Sequence, residues 1–317
     1  AAGSYHRPHQ ASDDMTARLI NIARGSMHDG PGVRTVVYFK GCNLSCRWCH
    51  NPESQAFAPE MVFHESRCIG CGRCVAICPQ RHVVRDGAHV YLRENCLLCG
   101  RCAEVCPNEA LSLCGEEYTL ERLMREIQKD SHYYAQSGGG VTFSGGECLL
   151  FPDFLAEILH MCRAEGIHTA VESALHVPYE NIARVAPDVC LFLADVKHMD
   201  SAVHKSCTGV ENGRILDNIR RLAADGSRDL LLRVPLIPGV NDGEENLRRT
   251  VEFAKNLPGG ARKVELLKYN NLASSKYESI GRQAELFASG PQTNERMDAL
   301  CARLNAQAGE QLVYYRK

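Results

Sequence analysis

The chain has 317 residues and a formal net charge of −2, enough for one large domain or two ordinary ones. This charge balance gives no general attraction to nucleic acid or membranes, and no apolar run is long enough to span a bilayer. The unusual feature is 17 cysteines, eleven of them in three tight clusters. Because no signal-peptide pattern precedes them, we expect metal binding in a cytoplasmic protein and not disulfides.

The N-terminal part begins with a polar, aperiodic stretch. Residues 1–15 are expected to be a disordered extension or a remnant of cloning. The segment 16–60 is expected to start the main domain. It contains VRTVVYFKG, whose β-branched and aromatic residues predict a strand that ends at Gly41. A loop with three cysteines, GCNLSCRWCHNPE at 41–53, follows that strand.

The segment 61–114 contains an internal duplication. CIGCGRCVAICP at 68–79 recurs as CLLCGRCAEVCP at 96–107. The repeated pattern C-x2-C-x2-C-x3-C-P is typical of bacterial two-cluster ferredoxins, in which the fourth cysteine of each run binds the other cluster. It predicts an inserted ferredoxin-like module. One [4Fe–4S] cluster would be bound by Cys68, Cys71, Cys74 and Cys106, and the other by Cys96, Cys99, Cys102 and Cys78.

Zinc is the competing interpretation of these cysteines, and two regular four-cysteine runs disfavour it. Both clusters would be closed, so their task is either to relay electrons or to stabilise the insert. Six further cysteines are scattered, and we expect them to be small buried hydrophobic residues. They are Cys114, Cys148, Cys162, Cys190, Cys207 and Cys301.

From 115 to 317 helical and strand patterns alternate. Helices are predicted at 119–136, 151–166, 177–187, 214–226, 246–260 and 292–308, and strands at 139–147, 167–174, 189–200, 229–239 and 263–270. This alternation predicts a parallel sheet with right-handed crossovers. About six repeats are visible, fewer than the eight of a closed barrel. We therefore expect an α/β fold, a partial (β/α)6 barrel, with functional residues at the C-terminal ends of its strands.

The loop after the first predicted strand spaces its cysteines as Cys42-x3-Cys46-x2-Cys49, with Trp48 before the last. Closed zinc sites and most cubane clusters take four protein ligands, so three cysteines leave one position open. His50 is disfavoured as a fourth zinc ligand because it is adjacent to Cys49. We favour a [4Fe–4S] cluster with one iron open to a small molecule.

The sequence SGGE, 144–147, ends a predicted strand. Its two glycines let backbone come close to a ligand, and its carboxylate can contact an ammonium group.

These motifs resemble the radical S-adenosylmethionine (SAM) superfamily, in its glycyl radical enzyme activating branch. The resemblance rests on HDGPGVR at 28–34, the cysteine loop, FSGGE and ADVKHMD, and it covers nearly the whole chain from about residue 16. The chain is similar to the long members that carry a two-cluster ferredoxin insert. The resemblance implies that the open iron binds the amino and carboxylate groups of SAM. One electron then cleaves the S–C5′ bond, and the 5′-deoxyadenosyl radical takes a hydrogen from a glycine of a partner enzyme.

The resemblance also implies roles for individual residues. Cys42, Cys46 and Cys49 would hold the catalytic cluster. The SAM contacts would come from Trp48, His50, Gly145, Gly146, Glu147, Asp195, Val196, Lys197 and Asn270. Within this set Lys197 would position SAM, and Asn270 stands where the family often has a histidine near the adenine. A monovalent cation (Na⁺ or K⁺) beside the SAM carboxylate would be bound by Asp195, Glu172 and Ser173.

Two positions call for separate expectations. Asp29, in HDGPG, would lie near the incoming glycine loop as a catalytic-site residue, although Asp-Gly-Pro-Gly is also ordinary turn chemistry. Cys148 stands where SGGE is usually followed by Pro or Ala, and we expect it to pack and not to bind metal.

Three functions stay open at this point. The leading one is an oxidoreductase that activates a glycyl radical enzyme, with a flavodoxin or ferredoxin as reductant, acting as a monomer under anaerobic conditions. The second is a radical SAM enzyme that acts on a small molecule or another peptide residue. Such enzymes often carry clusters C-terminal to the barrel, but the last third of this chain has only Cys207 and Cys301 and cannot build one. The third is an iron–sulfur electron-transfer or redox-sensing protein, which leaves the open cluster and SGGE without a purpose.

Overall fold

A computed structural model describes residues 15–260, 262–287 and 289–317. The expected N-terminal extension therefore lies, except for its last residue, outside the described part of the chain. The strands are β1 (Thr16–Ser26), β2 (Arg34–Phe39), β3 (Glu60–Phe63), β4 (His82–Arg85), β5 (Ala88–Tyr91), β6 (Leu111–Cys114), β7 (Glu116–Thr119), β8 (Gly140–Gly145), β9 (His168–Ser173), β10 (Leu191–Asp195), β11 (Asp229–Leu236), β12 (Val264–Lys268) and β13 (Val313–Tyr314). The helices are α1 (Arg73–Ile77), α2 (Arg101–Glu104), α3 (Leu120–Gln128), α4 (Ser131–Ser137), α5 (Pro152–Ala164), α6 (Tyr179–Val185), α7 (Ser201–Thr208), α8 (Gly213–Asp225), α9 (Glu244–Lys255), α10 (Ser274–Ser279) and α11 (Asn294–Ala308).

The central sheet has nine strands in the order β13-β12-β11-β10-β9-β8-β2-β1-β7. The strands from β2 through β8, β9, β10, β11 and β12 to the short β13 all run parallel. Six of these parallel strands are long, as the repeat pattern predicts. The fold is therefore α/β with a mostly parallel sheet, consistent with a partial barrel. Sequence reasoning did not predict β1 and β7, which join the edge beside β2 in antiparallel pairing.

Several helices outside the insert cover the sheet with one apolar face, and α5 is the clearest example. In α5, Pro152 occupies the first turn, where a missing N–H costs nothing. Its buried residues recur at helical spacing and are Phe154, Leu155, Ile158, Leu159 and Cys162. They belong to one continuous core that also contains the inward residues of the parallel strands. Of the six scattered cysteines, all but the half-buried Cys190 are buried, as expected.

The single helix predicted at 119–136 is two helices, α3 and α4. They separate at Asp130, whose backbone is not helical and whose side chain is nearly buried. Its carboxylate accepts hydrogen bonds from Arg24 Nη1 and Thr35 Oγ1, both at 2.5 Å, so it is fixed to strands β1 and β2. These long-range bonds outweigh local helical propensity at this point.

The segment between β3 and β6 lies outside the central sheet. Strands β3 and β6 pair antiparallel and bring the two ends of this segment together. Between them, β4 and β5 form a hairpin, while α1 and α2 carry Cys74 and Cys102. Arg93 fastens the segment to the remainder of the chain, because its guanidinium donates to the carbonyls of Met61 and Ser279.

Ile158→Ala tests the packing of α5 on the sheet. The side chain is fully buried, so its truncation is expected to lower the free energy of unfolding by about 2–5 kcal/mol. Urea unfolding of the anaerobically prepared protein measures this change. His160→Ala, an exposed position on the same helix, is the matched control and is expected to change stability by less than about 0.5 kcal/mol. Equal losses in both variants would contradict the assigned core face.

Candidate functional site

An open cavity of about 710 Å³ lies at the C-terminal ends of the parallel strands. Parallel α/β folds place functional residues at this end, because the loops that follow the strands converge there. The predicted site residues that line the cavity are Asp29, Cys42, Cys46, Trp48, Cys49, His50, Gly145, Gly146, Glu172, Ser173, Asp195, Lys197 and Asn270. Glu147 and Val196 lie behind its wall, and both are buried.

The three-cysteine loop leaves the end of β2. It turns at Gly41, whose φ of +112° suits glycine, and its backbone is fastened where Gly41 N donates to Ser54 O at 2.7 Å. Burial raises the pKa of the Cys42 and Cys49 thiols to about 12. A bound metal centre supplies the positive charge that holds such buried sulfurs as thiolates. Three cysteines facing one cavity therefore fit an iron–sulfur cluster that is open on the cavity side.

The SGGE turn packs directly on the start of the cysteine loop. Gly146 N donates to Phe39 O at 2.8 Å, and Glu147 N donates to Gly41 O at 2.9 Å. A Cβ at Gly146 would lie 2.2 Å from Gly41 O, far closer than real Cβ contacts. The second glycine of SGGE is thus required for the approach of two backbones, and the turn and the cluster loop form one rigid unit.

Glu147 has its carboxylate engaged within the protein. Its Oε1 accepts hydrogen bonds from Ser173 Oγ at 2.7 Å and Leu149 N at 3.2 Å, and its Oε2 accepts from Ala174 N at 3.1 Å. Burial raises its pKa to about 7. In this arrangement Glu147 connects the turn to the end of β9, and its contact with the methionine amino group stays a prediction.

Asp195 and Lys197 form an ion pair on the cavity wall, with Lys197 Nζ 2.8 Å from Asp195 Oδ2. Burial by itself lowers the pKa of Lys197, but Asp195 and Cys46 outweigh it, so the pKa is raised and the amine stays charged. Asp195 Oδ1 is buried and has no hydrogen-bond partner among the described residues. A buried oxygen of this kind is usually satisfied by water, an ion or a ligand, and Asp195 lines the cavity where any of these can reach it.

Sequence reasoning missed Arg233 on β11, which lies inside the barrel with 3% exposure. Its guanidinium is 2.6 Å from Glu172, 3.2 Å from Glu265 and 3.7 Å from Asp29. Burial lowers the pKa of Arg233, but the surrounding carboxylates outweigh it and raise the pKa. The signal was available: in DLLLRVPL and KVELLK a charged residue interrupts an apolar strand that has both faces covered.

The residues predicted to bind a monovalent cation are partly engaged with one another. Glu172 Oε1 pairs with Arg233, and its Oε2 accepts a hydrogen bond from Ser144 Oγ at 2.7 Å. Burial raises the pKa of Glu172, while Arg233 opposes this shift. Ser173 Oγ donates to Glu147. Of the three predicted cation ligands, Asp195 alone offers an oxygen without a partner in the described structure.

The aromatic residues of the loop contact the far side of the cavity. Trp48 packs with Cys207, Ile237 and Tyr269 in a small buried cluster. The His50 ring lies 6.2 Å from that of Tyr269, and burial lowers its pKa although a hydrogen bond to the backbone of Asn270 opposes this.

Cys148 is fully buried, with its thiol toward the carbonyls of Phe143 and Glu172, so it packs as expected.

The cysteines of the insert lie in two groups. Cys68, Cys71, Cys74 and Cys106 line a second cavity of about 70 Å³. Cys96 and Cys99 lie near enough to Cys102 to raise the pKa of its thiol, although burial is the larger cause. Arg101 Nε donates to Cys99 Sγ at 3.5 Å, and Cys78 is near enough to help raise the pKa of Arg101. The first set combines three cysteines of one run with the fourth of the other, and the assignment of two clusters to these cysteines stays a prediction.

Comparison with known proteins decides the family. A protein-family model described as "Radical SAM superfamily" matches residues 36–253. The chain belongs to the radical SAM superfamily. Its relatives place it among the glycyl radical enzyme activating enzymes. It is 41% identical over 270 residues to the (2S)-3-sulfopropanediol dehydratase activating enzyme of Klebsiella oxytoca, covering 83% of this chain and 85% of that protein. It is 42% identical over 275 residues to the trans-4-hydroxy-L-proline dehydratase activating enzyme of Clostridioides difficile, covering 86% and 90%.

A solved structure agrees at the level of the fold. Streptococcus suis SuiB bound to precursor peptide SuiA has a TM-score of 0.55 at 11% identity, covering 89% of this chain and 48% of that chain. Membership of the superfamily implies a [4Fe–4S] cluster and SAM, and the three cysteines around the cavity fit that cluster. Among the described residues, no helix is both long and apolar enough to cross a membrane.

Gly146→Ala tests the contact between the SGGE turn and the cluster loop. The added methyl group forces two backbone segments apart, so SAM affinity is expected to fall at least about tenfold. Binding is measured by the perturbation of the cluster's electron paramagnetic resonance (EPR) signal as SAM is added. Gly213→Ala, where a Cβ meets no atom within 4 Å, is the matched control. Unchanged affinity in Gly146→Ala would contradict the rigid unit.

Proposed function

We propose that this protein activates a glycyl radical enzyme by reductive cleavage of SAM at the cluster bound by Cys42, Cys46 and Cys49. The observation that carries the proposal is the convergence of these cysteines with the SGGE turn and the Asp195–Lys197 pair on one cavity. When bound, the cluster supplies one electron to the sulfonium of SAM, whose S–C5′ bond breaks to give methionine and a 5′-deoxyadenosyl radical. The protein's task is to orient SAM and exclude water.

Different cavity residues are proposed to bind the methionine end and the adenine end of SAM. Lys197 offers a charged amine toward the SAM carboxylate, and Asp195 Oδ1 offers an acceptor beside it. Backbone of Gly145 and Gly146 approaches the methionine amino group, with Glu147 and Val196 supporting the wall from behind. His50, Trp48 and Asn270 line the cavity around or next to Tyr269 and are proposed to bind the adenine end. A monovalent cation at Asp195, with Glu172 and Ser173 near it, is part of the proposal.

Asp29 is proposed to meet the glycine loop of the partner. Its loop lies over the cavity because Thr142 Oγ1 donates to Asp29 O at 2.6 Å and Arg233 Nη2 donates to His28 O at 3.1 Å. The Asp29 side chain keeps 19% exposure beside Arg233. A partly exposed carboxylate at the mouth can accept hydrogen bonds from the peptide N–H groups of an incoming loop.

The insert, 61–114, is proposed to be a ferredoxin-like module between the two parts of a barrel made by 16–60 and 115–317. Its two cysteine groups would hold one [4Fe–4S] cluster each, giving three clusters per chain. The cavity lined by Cys68, Cys71, Cys74 and Cys106 supports the crossed arrangement. A flavodoxin or ferredoxin is the proposed reductant, and the chain is proposed to act as a monomer on a separate glycyl radical enzyme.

Cys46→Ala tests the catalytic cluster. The wild-type protein, given SAM and dithionite, is expected to release 5′-deoxyadenosine and methionine in equal amounts, while Cys46→Ala releases neither. Liquid chromatography measures both products. Cys301→Ala, a buried cysteine of α11 in the hydrophobic core, is the matched control and is expected to keep the activity. Activity in Cys46→Ala would overturn the cluster assignment.

The partner class is tested separately. The reduced protein, SAM and a candidate partner are expected to yield a glycyl radical doublet in EPR. If SAM is cleaved but no glycyl radical enzyme encoded beside this gene gives a doublet, the result would favour the small-molecule or peptide alternative instead.

Paired cysteine removal tests the crossed ligand sets in the insert. Cys74→Ala and Cys106→Ala are each expected to lose about four iron per chain, and the double variant no more than that, because both remove one cluster. Cys102→Ala with Cys106→Ala is expected to lose about eight. Iron and sulfide analysis measures these losses. Additive losses for Cys74 and Cys106 would show that the ligand sets are not crossed.

A further inference from the structure

One face of the β4–β5 hairpin carries three stacked rings that the activating reaction does not use. His82 and Tyr91 are opposite each other in the hairpin, and His89 is two residues before Tyr91 on the same face. The His82 ring stacks on both neighbours, with centroids 5.1 Å from His89 and 5.0 Å from Tyr91. His82 is only 1% exposed.

The two ends of this stack meet different cysteine groups. His89 Nδ1 is 3.9 Å from Cys68 Sγ, and His89 Nε2 is 3.5 Å from Cys74 Sγ. At the other end Tyr91 packs in one hydrophobic cluster with Cys96 and Cys102. The hairpin therefore places an imidazole beside one group and a phenol beside the other.

We propose that His89 donates a hydrogen bond to a cysteine sulfur of the cluster bound by Cys68, Cys71, Cys74 and Cys106, and that it thereby raises the reduction potential of this cluster selectively. A neutral imidazole carries its proton on one nitrogen only. Both nitrogens of His89 face a sulfur of the same group, and where His82 donates to His89 Nε2 the His89 proton lies on Nδ1 and faces Cys68 Sγ. Hydrogen bonds to cluster sulfurs stabilise the more negative reduced state and raise the potential.

The packing around His89 explains how the ring is held. Phe63 contacts it edge to face, with centroids 4.8 Å apart at 88°. On the other side His82 Nδ1 lies 2.9 Å from His89 Nε2, so the two imidazoles share a hydrogen bond. This fixed ring is a positioning and tuning residue, since it acts on the reaction through the cluster's ligands.

The duplication does not provide the same partner for the other cluster. The positions 28 residues after His82 and His89 are Ala110 and Glu117, and neither carries an imidazole. Tyr91 and Arg101 contact the second group instead. The two clusters, alike in their ligands, thus differ in their hydrogen-bond donors, and a change at His89 should reach only one of them.

This inference rests on the two-cluster insert of the proposed function, and its test reports on the two separately. The full-length chain carrying Cys42→Ala, Cys46→Ala and Cys49→Ala keeps only the iron of the insert. It is expected to bind about eight iron and to show two midpoint potentials in an EPR-monitored redox titration. Binding of clearly fewer iron atoms per chain, or of one zinc ion at Cys74, His82 and His89, would overturn the two-cluster insert and this inference with it.

In that background His89→Phe is the decisive change, since phenylalanine keeps the ring and its contacts but has no N–H. One potential is expected to shift to more negative values while the other stays in place. Tyr91→Phe, the matched variant, is expected to shift the other potential. Unchanged potentials in His89→Phe, or a shift of both, would overturn the inference.

His89→Gln covers the case in which the phenylalanine variant fails to assemble its cluster. Glutamine restores an N–H donor, so the iron content is expected to be full and the shifted potential to return toward that of the parent. Loss of about four iron in both His89 variants would mean that His89 is a ligand, which also overturns the proposed hydrogen bond.

Discussion

The guanidinium of Arg233 lies among three carboxylates inside the barrel and holds parts that are distant in sequence. Glu172 is on β9, Glu265 is on β12, and Asp29 precedes β2. Carboxylates this close would repel one another in a buried setting, and removal of one partner from a buried ion pair costs about 3–5 kcal/mol. The charge of Arg233 therefore allows polar strand residues to face a shared cavity, which the cofactor site requires.

The same network joins the two ends of the row of parallel strands, β13 and β2. Arg316, just beyond β13, pairs with Glu265 at 2.6 Å and donates to Met27 O at 2.6 Å. Met27 lies before β2, on the far side of the parallel strands. A closed barrel joins such edges by strand pairing, and here charged side chains connect them.

Local sequence signals predicted most elements but not the contacts between them. The apolar and β-branched runs marked β2, β8, β9, β10, β11 and β12, and cysteine spacing marked the cluster loop. The division of α3 from α4 depends on Asp130 bonding Arg24 and Thr35, which lie about a hundred positions earlier, so no local pattern contains it. The charge of Arg233 within an apolar strand was a local signal, but the strand pattern does not reveal which carboxylates surround it. The Glu147 carboxylate is held inside the protein by hydrogen bonds from Ser173 and Ala174 at the end of another strand, and no local pattern shows this.

The duplication in the insert copies the cysteine runs but not the hairpin between them. The repeated runs place their cysteines alike, with Gly72 and Gly100 both in the left-handed conformation before α1 and α2. The hairpin between the runs exists once, and its single polar face must serve both cysteine groups. It does so asymmetrically, with an imidazole at one end and a phenol at the other. Because these two rings differ in chemistry and geometry, the two cysteine groups acquire different surroundings, and the difference follows from the hairpin's two-residue side-chain alternation.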